Sequence, residues 1–504
     1  MFIPRFARRA CTASIIALAA STLGVPGATA EMDHRPNVVL ILADDLDALT
    51  TPVWQAMPFT AELIRDRGME FANGFAPLPI CCGGRSSMLT GEYGHNTGVV
   101  TNDGPAGGFR AFRAKGNESR TFVKALHDGG YRTGMAGIYL HGLEHSPGHI
   151  PPGWDDWHAG AETSLYTGYN YTLNENGRAV EYGEAPEDYL TDVVAEKSRR
   201  FITDSAASGQ PFFWYAASTA PHAPLPPAPR HLAETEPAGV PKSPNSLETD
   251  VSDKPGWLTR SADARTEALE ATNDADYTDR LGALKALDEM VADIVRTLTD
   301  TGELDNTYLI FTSDNGYNLG AHRLNEKMAP YEESLRVPLA IAGPGIDSRC
   351  TAAMALSIDL APTILEWAGL VPPDRMDGRS LVPVLNGETT PWRTDFLAEY
   401  GGAGYTGRDG VAQEQVLAAE TTADVLDIPS WIAVRDERWL YVRWYERERP
   451  IEDREHELYD LRNDPYQLSN LLDSPESRAA HADVVAGLDR RLSELRTCSG
   501  ASCR

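Results

Sequence analysis

Two apolar runs in this chain each end in a pair of oxygen-bearing side chains. Residues 37–43 (NVVLILA) lead into Asp44-Asp45, and residues 307–312 (TYLIFT) lead through Ser313 into Asp314-Asn315-Gly316. Either pair alone would serve as a cap or a turn. Both after equally apolar strands bring three carboxylates and an amide together, and unpaired carboxylates repel one another. An oxygen-only set of this kind suits a hard cation, Ca2+ or Mg2+. A second candidate is Cys81-Cys82-Gly83-Gly84-Arg85. A cysteine in a glycine-containing turn, with arginine four residues on and then a helix, suits an anion site or a reactive thiol at a positive helix terminus. A turn with one buried cysteine is the plainer reading of the same residues.

These residues need a scaffold, and the apolar patterning supplies one. Continuous apolar runs of strand length suit central strands buried on both faces. Further strands are expected at 131–136, 212–217 and 337–342, and helices at 59–68 and 358–368. Between 276 and 299, Leu281, Leu284, Leu287, Met290, Val291, Ile294 and Leu298 recur at helical spacing. Alternating strands and helices predict a large, mostly parallel sheet sandwiched by helices. Residues 220–265, rich in Pro, Ser, Thr and acidic residues, read as a long surface excursion. After about residue 390 the pattern changes to short strands (396–400, 431–435, 439–444) and a helix near 479–495, a smaller α+β domain.

Residues 1–30 differ from the rest. Arg5, Arg8 and Arg9 precede an apolar run, and Ala28-Thr29-Ala30 offers a cleavage site, which reads as a signal peptide. The expected organisation is therefore 1–30 signal peptide, 31–388 catalytic α/β domain and 389–504 smaller domain, exported to the periplasm or secreted. No later apolar run is long enough to span a bilayer. A net charge of −28 argues against nucleic acid as a partner and requires a local basic pocket for any anionic substrate. Of six cysteines, Cys498 and Cys503 in CSGASC are spaced to close a short loop in an oxidising compartment.

Taken in order, the pieces resemble the sulfatase family. Cys81 and Arg85, followed by Leu89-Thr90-Gly91, match its Cys-x-Pro-Ser-Arg…Leu-Thr-Gly signature. Asp44-Asp45, Pro221-His222-Ala223-Pro224, Ser313-Asp314-Asn315-Gly316 and Lys327 before Tyr331-Glu332 follow in the family's order. Tyr169-Asn170-Tyr171-Thr172-Leu173, Leu190-Thr191-Asp192-Val193, Thr301-Gly302-Glu303-Leu304, Met376-Asp377-Gly378 and the terminal CSGASCR look like its N-acetylglucosamine-6-sulfatase branch. The resemblance implies an alkaline-phosphatase-like fold and removal of sulfate from a sulfated sugar, such as 6-O-sulfated N-acetylglucosamine in a glycan. It implies that a formylglycine-generating enzyme converts Cys81 to formylglycine. The hydrated aldehyde would attack sulfur, release the sugar alcohol and leave a sulfated intermediate that collapses to sulfate and aldehyde. Asp44, Asp45, Asp314 and Asn315 would hold Ca2+ (or Mg2+), Arg85 would steady the hydrate, Lys327 would bind sulfate oxygens, and His222 would bind sulfate or protonate the leaving oxygen.

Two positions depart from that pattern. Gly83 and Gly84 stand where the family has Pro and Ser, and Ile138 in Gly137-Ile138-Tyr139-Leu140 stands where it has a lysine. His141 is the nearest residue able to substitute. The departures favour an alternative from another class, a degenerate sulfatase-like protein that binds sulfated glycans without turning them over. The same metal chemistry also serves a phosphodiesterase or phosphonate hydrolase.

Overall fold

The computed structural model describes residues 35–160, 163–262, 266–401, 428–445 and 455–504; the segment read as a signal peptide lies outside them. Strands β1 (Asn37–Ala43), β2 (Met69–Phe75), β3 (Arg132–Ile138), β4 (Asp156–Gly160), β5 (Tyr171–Glu175), β6 (Arg178–Tyr182), β7 (Phe212–Ala217), β8 (Thr307–Ser313), β9 (Leu339–Ala342) and β10 (Arg349–Leu356) form one sheet, in the order 10-2-9-8-1-7-3-4-5-6. Its centre, 8-1-7-3-4, is parallel. β9 runs antiparallel to both β8 and β2, so the strand read at 337–342 enters the sheet reversed.

Side chains of β1 alternate between faces. Val38, Leu40 and Leu42 meet Phe122 and Leu126 of helix Phe122–Asp128 and Ile364 and Leu365 of helix Leu360–Trp367. Val39, Ile41 and Ala43 meet Val194 and Phe201 of helix Leu190–Ser208 and Leu284, Leu287 and Val291 of helix Thr266–Asp300. The five large aliphatic residues of β1 are all buried, at ~2 kcal/mol each. That burial helps to offset the cost of holding carboxyl groups inside at the strand's end.

A second, antiparallel sheet contains β11 (Asp395–Tyr400), β12 (Ser430–Asp436), β13 (Trp439–Tyr445) and β14 (His456–Asp460) in that order. Leu488, Leu492 and Leu495 of helix Ala482–Leu495 share its core with Trp431 and Leu440, an i, i+4, i+7 stripe. Cys498 and Cys503 form a disulfide just beyond.

Three expectations change. The helix read over 276–299 begins ten residues earlier, at Thr266, because its polar first turns carry no apolar period. The excursion at 220–265 is not a surface feature throughout: Asn245, Glu248, Lys254, Trp257 and Leu258 are buried. Its polar residues go inside with polar partners: Glu248 is bonded to His322 (2.7 Å), which lies outside the excursion, and paired with Lys254 (3.4 Å) within it. Finally, the glycine-containing turn at Cys81 is already helix, Cys81–Thr90.

Candidate active site and metal centre

Four adjacent strands deliver the site from their carboxyl ends, where open α/β sheets bind ligands. Ala43 pairs with Ser313, which sets Asp44-Asp45 beside Asp314-Asn315. On the other side Leu42 pairs with Ala217, and β7 continues through Ser218 to His222. β3 ends next to β7 at Ile138 and leads to His141. The helix Cys81–Thr90 abuts these ends. A Cβ at Gly84 would lie 2.6 Å from the Asp314 carbonyl oxygen, and one at Gly83 would lie 2.4 Å from Leu78 Cδ2. Gly84 thus seats the helix directly on the strand end that carries Asp314, while Gly83 packs on the Leu78 and Ile80 side chains.

All eight residues read from the sequence lie in one cluster. Asp44, Asp45, Cys81, Arg85, Asp314, Asn315 and Lys327 are buried, and His222 is partly buried. Arg85 gives Nε to Asp314 (2.9 Å), one terminal nitrogen to Asp44 (2.9 Å) and the other to the Ile138 carbonyl (2.8 Å). Its guanidinium therefore binds the carboxylates, whereas the resemblance gives it to the hydrated aldehyde. Lys327 Nζ reaches Asp45 (2.8 Å), Cys81 Sγ (3.1 Å) and His222 Nε2 (3.2 Å). The ring nitrogen Nδ1 of His222 contacts the Ala223 carbonyl, so Nδ1 carries the proton and Nε2 faces Lys327. Cys81 Sγ lies 3.6 Å from Asp44.

Burial and the neighbouring Asp314 push the Asp44 carboxyl well above its usual range. For Asp45, burial opposes ionisation, but Lys327 and His222 outweigh it and bring the carboxyl to about 2. Burial, then Asp44, pushes the Cys81 thiol well up, so it stays protonated and is no nucleophile as it stands. A cluster that raises one of its own carboxyls calls for added positive charge. One oxygen among these donors is also unused: Asn315 gives its Nδ2 to Asp45 (2.6 Å), while its buried Oδ1 has no hydrogen-bond partner. Asp44, Asp45, Cys81 and His222 bring ligand atoms within 4.8 Å of one another. The oxygen donors fit a hard divalent cation.

Two further residues were not legible in the sequence. Arg280, on the helix Thr266–Asp300, is buried and bonds the carbonyls of Asp45 and Pro221 (the latter at 3.2 Å). It forms no ion pair among the described residues, and its Nε is unbonded. The signal was an arginine at i, i+4, i+7 spacing with the buried Leu284 and Leu287. The Tyr166 ring lies tilted against that of His222, with centroids 4.2 Å apart, and its hydroxyl bonds His141 (2.7 Å); no periodicity marks it. The loop carrying Lys327 is fixed at Met328, a left-handed residue at φ 74. The Met328 N–H donates to the Pro79 carbonyl (3.0 Å), and its own carbonyl accepts from Trp431 Nε1 (2.7 Å) in the small sheet. Of the two departures, Ile138 is fully buried and offers only its carbonyl. His141 does reach the site, but burial, with Lys327 and Arg85 nearby, lowers its imidazole to about 3, so it is neutral and no substitute cation.

The sulfatase family model matches residues 36–370, a span that holds every one of these site residues. The chain belongs to the sulfatase family. It is 36% identical to the N-acetylglucosamine-6-sulfatase of Capra hircus over 96% of this chain and 87% of that one. To the N-acetylglucosamine-6-sulfatase of Homo sapiens it is 35% identical over 99% and 91%. Among solved structures it superposes on a protein in complex with its substrate D-glucosamine-2-N,6-O-disulfate, with a TM-score of 0.72, 24% identity and coverage of 92% and 97%. A phosphonate monoester hydrolase from Silicibacter pomeroyi shares the fold at a TM-score of 0.66 and 22% identity, covering 92% and 96%. The sulfatase fold, with its large mostly parallel sheet and small antiparallel one, is thus the fold found here. Among the described residues no helix is long and apolar enough to cross a membrane.

Proposed function

We propose that this sulfatase removes the 6-O-sulfate of N-acetylglucosamine in sulfated glycans, with Cys81 converted to formylglycine and Ca2+ (or Mg2+) at Asp44, Asp45, Asp314 and Asn315. The observation that carries the reading is Lys327 Nζ, which meets Cys81 Sγ, Asp45 and His222 at one point. The relatives named for this activity, similar over nearly the whole chain, support the substrate. The protonated, carboxylate-flanked thiol supports modification, because an unmodified Cys81 lacks a usable thiolate.

When formed, formylglycine supplies a hydrated aldehyde as nucleophile, and the bound dication supplies polarisation of the sulfate. The chain's own residues do the rest. Lys327 binds a sulfate oxygen beside the nucleophile. Arg85 stays on the carboxyl groups of Asp44 and Asp314 and holds these two together. His222 keeps its Nδ1 proton on the Ala223 carbonyl and turns Nε2 to Lys327 Nζ, so a proton passed from Lys327 to Nε2 would make the imidazolium that protonates the leaving sugar oxygen. The formylglycine-generating enzyme is the maturation partner. Export by the N-terminal segment, to the periplasm or outside the cell, accompanies this reading, as does a catalytic unit of 31–388 followed by the smaller domain from 389.

The test is expression with a formylglycine-generating enzyme, mass measurement of the Cys81 peptide, and sulfate release from N-acetylglucosamine-6-sulfate beside a phosphate diester and a phosphonate ester. An aldehyde mass and turnover of the sulfate ester, abolished by chelation and restored by Ca2+, is the expected result. An unmodified thiol with glycan binding but no sulfate release would overturn the reading in favour of a binding protein. Preference for the phosphorus esters would overturn it in favour of the phosphonate hydrolase.

A further inference from the structure

Tyr166 and His141 form a polar pair on the wall of the site that no step above uses. The Tyr166 hydroxyl lies 2.7 Å from His141 Nε2. The tyrosine ring lies against His222, whose Nε2 is 3.2 Å from Lys327 Nζ, itself 3.1 Å from Cys81 Sγ. His141 is tied to the nucleophile's neighbour, since its backbone N–H donates to Cys82 Sγ (3.2 Å). The pair therefore borders the space in front of Cys81, on the side where β3 ends in the apolar Ile138.

The hydrogen count is informative. Burial keeps the Tyr166 phenol protonated and the His141 ring neutral. Each group then owns one N–H or O–H hydrogen, and their mutual bond uses one of the two. Whichever group donates, one hydrogen is left over. Neither side chain has another hydrogen-bond partner among the described residues. A spare donor beside a nucleophile, on a wall of a site built for an anion, has an oxygen acceptor as its natural partner.

We infer that the Tyr166–His141 pair acts as one neutral donor that binds an oxygen of the substrate's sulfate group. The inference rests on the proposed function. It assigns sulfate recognition to a hydrogen bond as well as to Lys327: His141 donates Nε2–H to the Tyr166 oxygen, and the Tyr166 hydroxyl, freed as a donor, is then the group that touches substrate.

Tyr166→Phe keeps the ring on His222 and removes the hydroxyl. Its kcat/KM on N-acetylglucosamine-6-sulfate and on 4-methylumbelliferyl sulfate should fall alike, by about 10- to 100-fold, and the affinity for inorganic sulfate by calorimetry should fall with it, the thermal midpoint being unchanged. His141→Leu should match it, the double variant should be no worse than either single one, and His141→Gln should retain most activity. Unchanged kinetics and sulfate affinity in Tyr166→Phe would overturn the inference. So would a loss confined to the sugar substrate with sulfate affinity intact, because the donor would then face the sugar. If Tyr166→Phe fails to fold, His141→Leu and His141→Gln carry the same comparison. Wild-type protein that turns over neither ester refutes the proposed function alone, and the variants' sulfate affinities still decide this inference.

Discussion

Asp45 sits in the left-handed region at φ 61, a conformation that costs a non-glycine residue about 1–3 kcal/mol. Its neighbours hold it there. Its N–H donates to Asp314 Oδ1 (3.2 Å), its carboxylate takes Lys327 and Asn315, and its carbonyl takes Arg280. Because Arg280 also grips the Pro221 carbonyl, one side chain sets both Asp45 and the segment bearing His222. Arg280→Met keeps the volume and loses both bonds. We expect Ca2+ affinity, measured by calorimetry, to fall roughly 10- to 100-fold, the range for lost groups that orient ligands. Arg280→Lys should recover little, since one ammonium replaces a planar fork that spans two carbonyls.

At the level of elements, the close seat of the helix Cys81–Thr90 on β8 is the feature most exposed to substitution. Backbone atoms of Asp314 oppose Gly84, so nothing flexible can move aside. Gly84→Val should cost about 1–3 kcal/mol by overpacking, read as a lower urea midpoint, and should displace Asp314 from the proposed metal. This contact also shows where sequence reading stops. β1 and β8 are legible because both are continuous apolar runs, and the four residues proposed for the metal follow from their ends. β2 (MEFANGF) is not, since Asn73 and Gly74 interrupt its alternation. The first turn of the Cys81 helix reads in the sequence as a glycine-containing turn before the helix, because glycine is a poor helix former. Tertiary contact overrides that preference, as the missing side chains are what let the helix approach. His222 and Lys327 were legible only through resemblance, because no local pattern distinguishes a loop histidine or lysine that folds inward from one that stays in water. The neutrality of His141 depends on burial, which its sequence neighbours do not report.

Across the whole molecule, the two sheets are joined by buried charge. Glu332 accepts from Arg435 of β12 (3.1 Å) and from Arg336 (2.5 Å). Burial opposes its ionisation, yet the two arginines bring its carboxyl down to about 2 from a usual 4.5. A depressed folded value means that this stabilisation is complete above about pH 4.5 and is lost as pH falls toward 2. Glu332→Gln should therefore be less stable than wild type at pH 7, by about 3–5 kcal/mol for a broken buried pair. The gap should narrow as acid unfolding curves are taken from pH 5 to pH 2.

The bond from Trp431 to the Met328 carbonyl ties the small sheet to the loop that aims Lys327. Its consequence is evolutionary. A recombination that replaced the C-terminal unit with another of the same topology would have to bring an indole at the same height, or leave the lysine unaimed. A duplicated copy of the large unit alone would carry all eight site residues in its reading frame and still lack the strut that holds one of them. The two units should therefore pass on as a single block, with an indole donor required at position 431 whatever residue supplies the backbone carbonyl at 328.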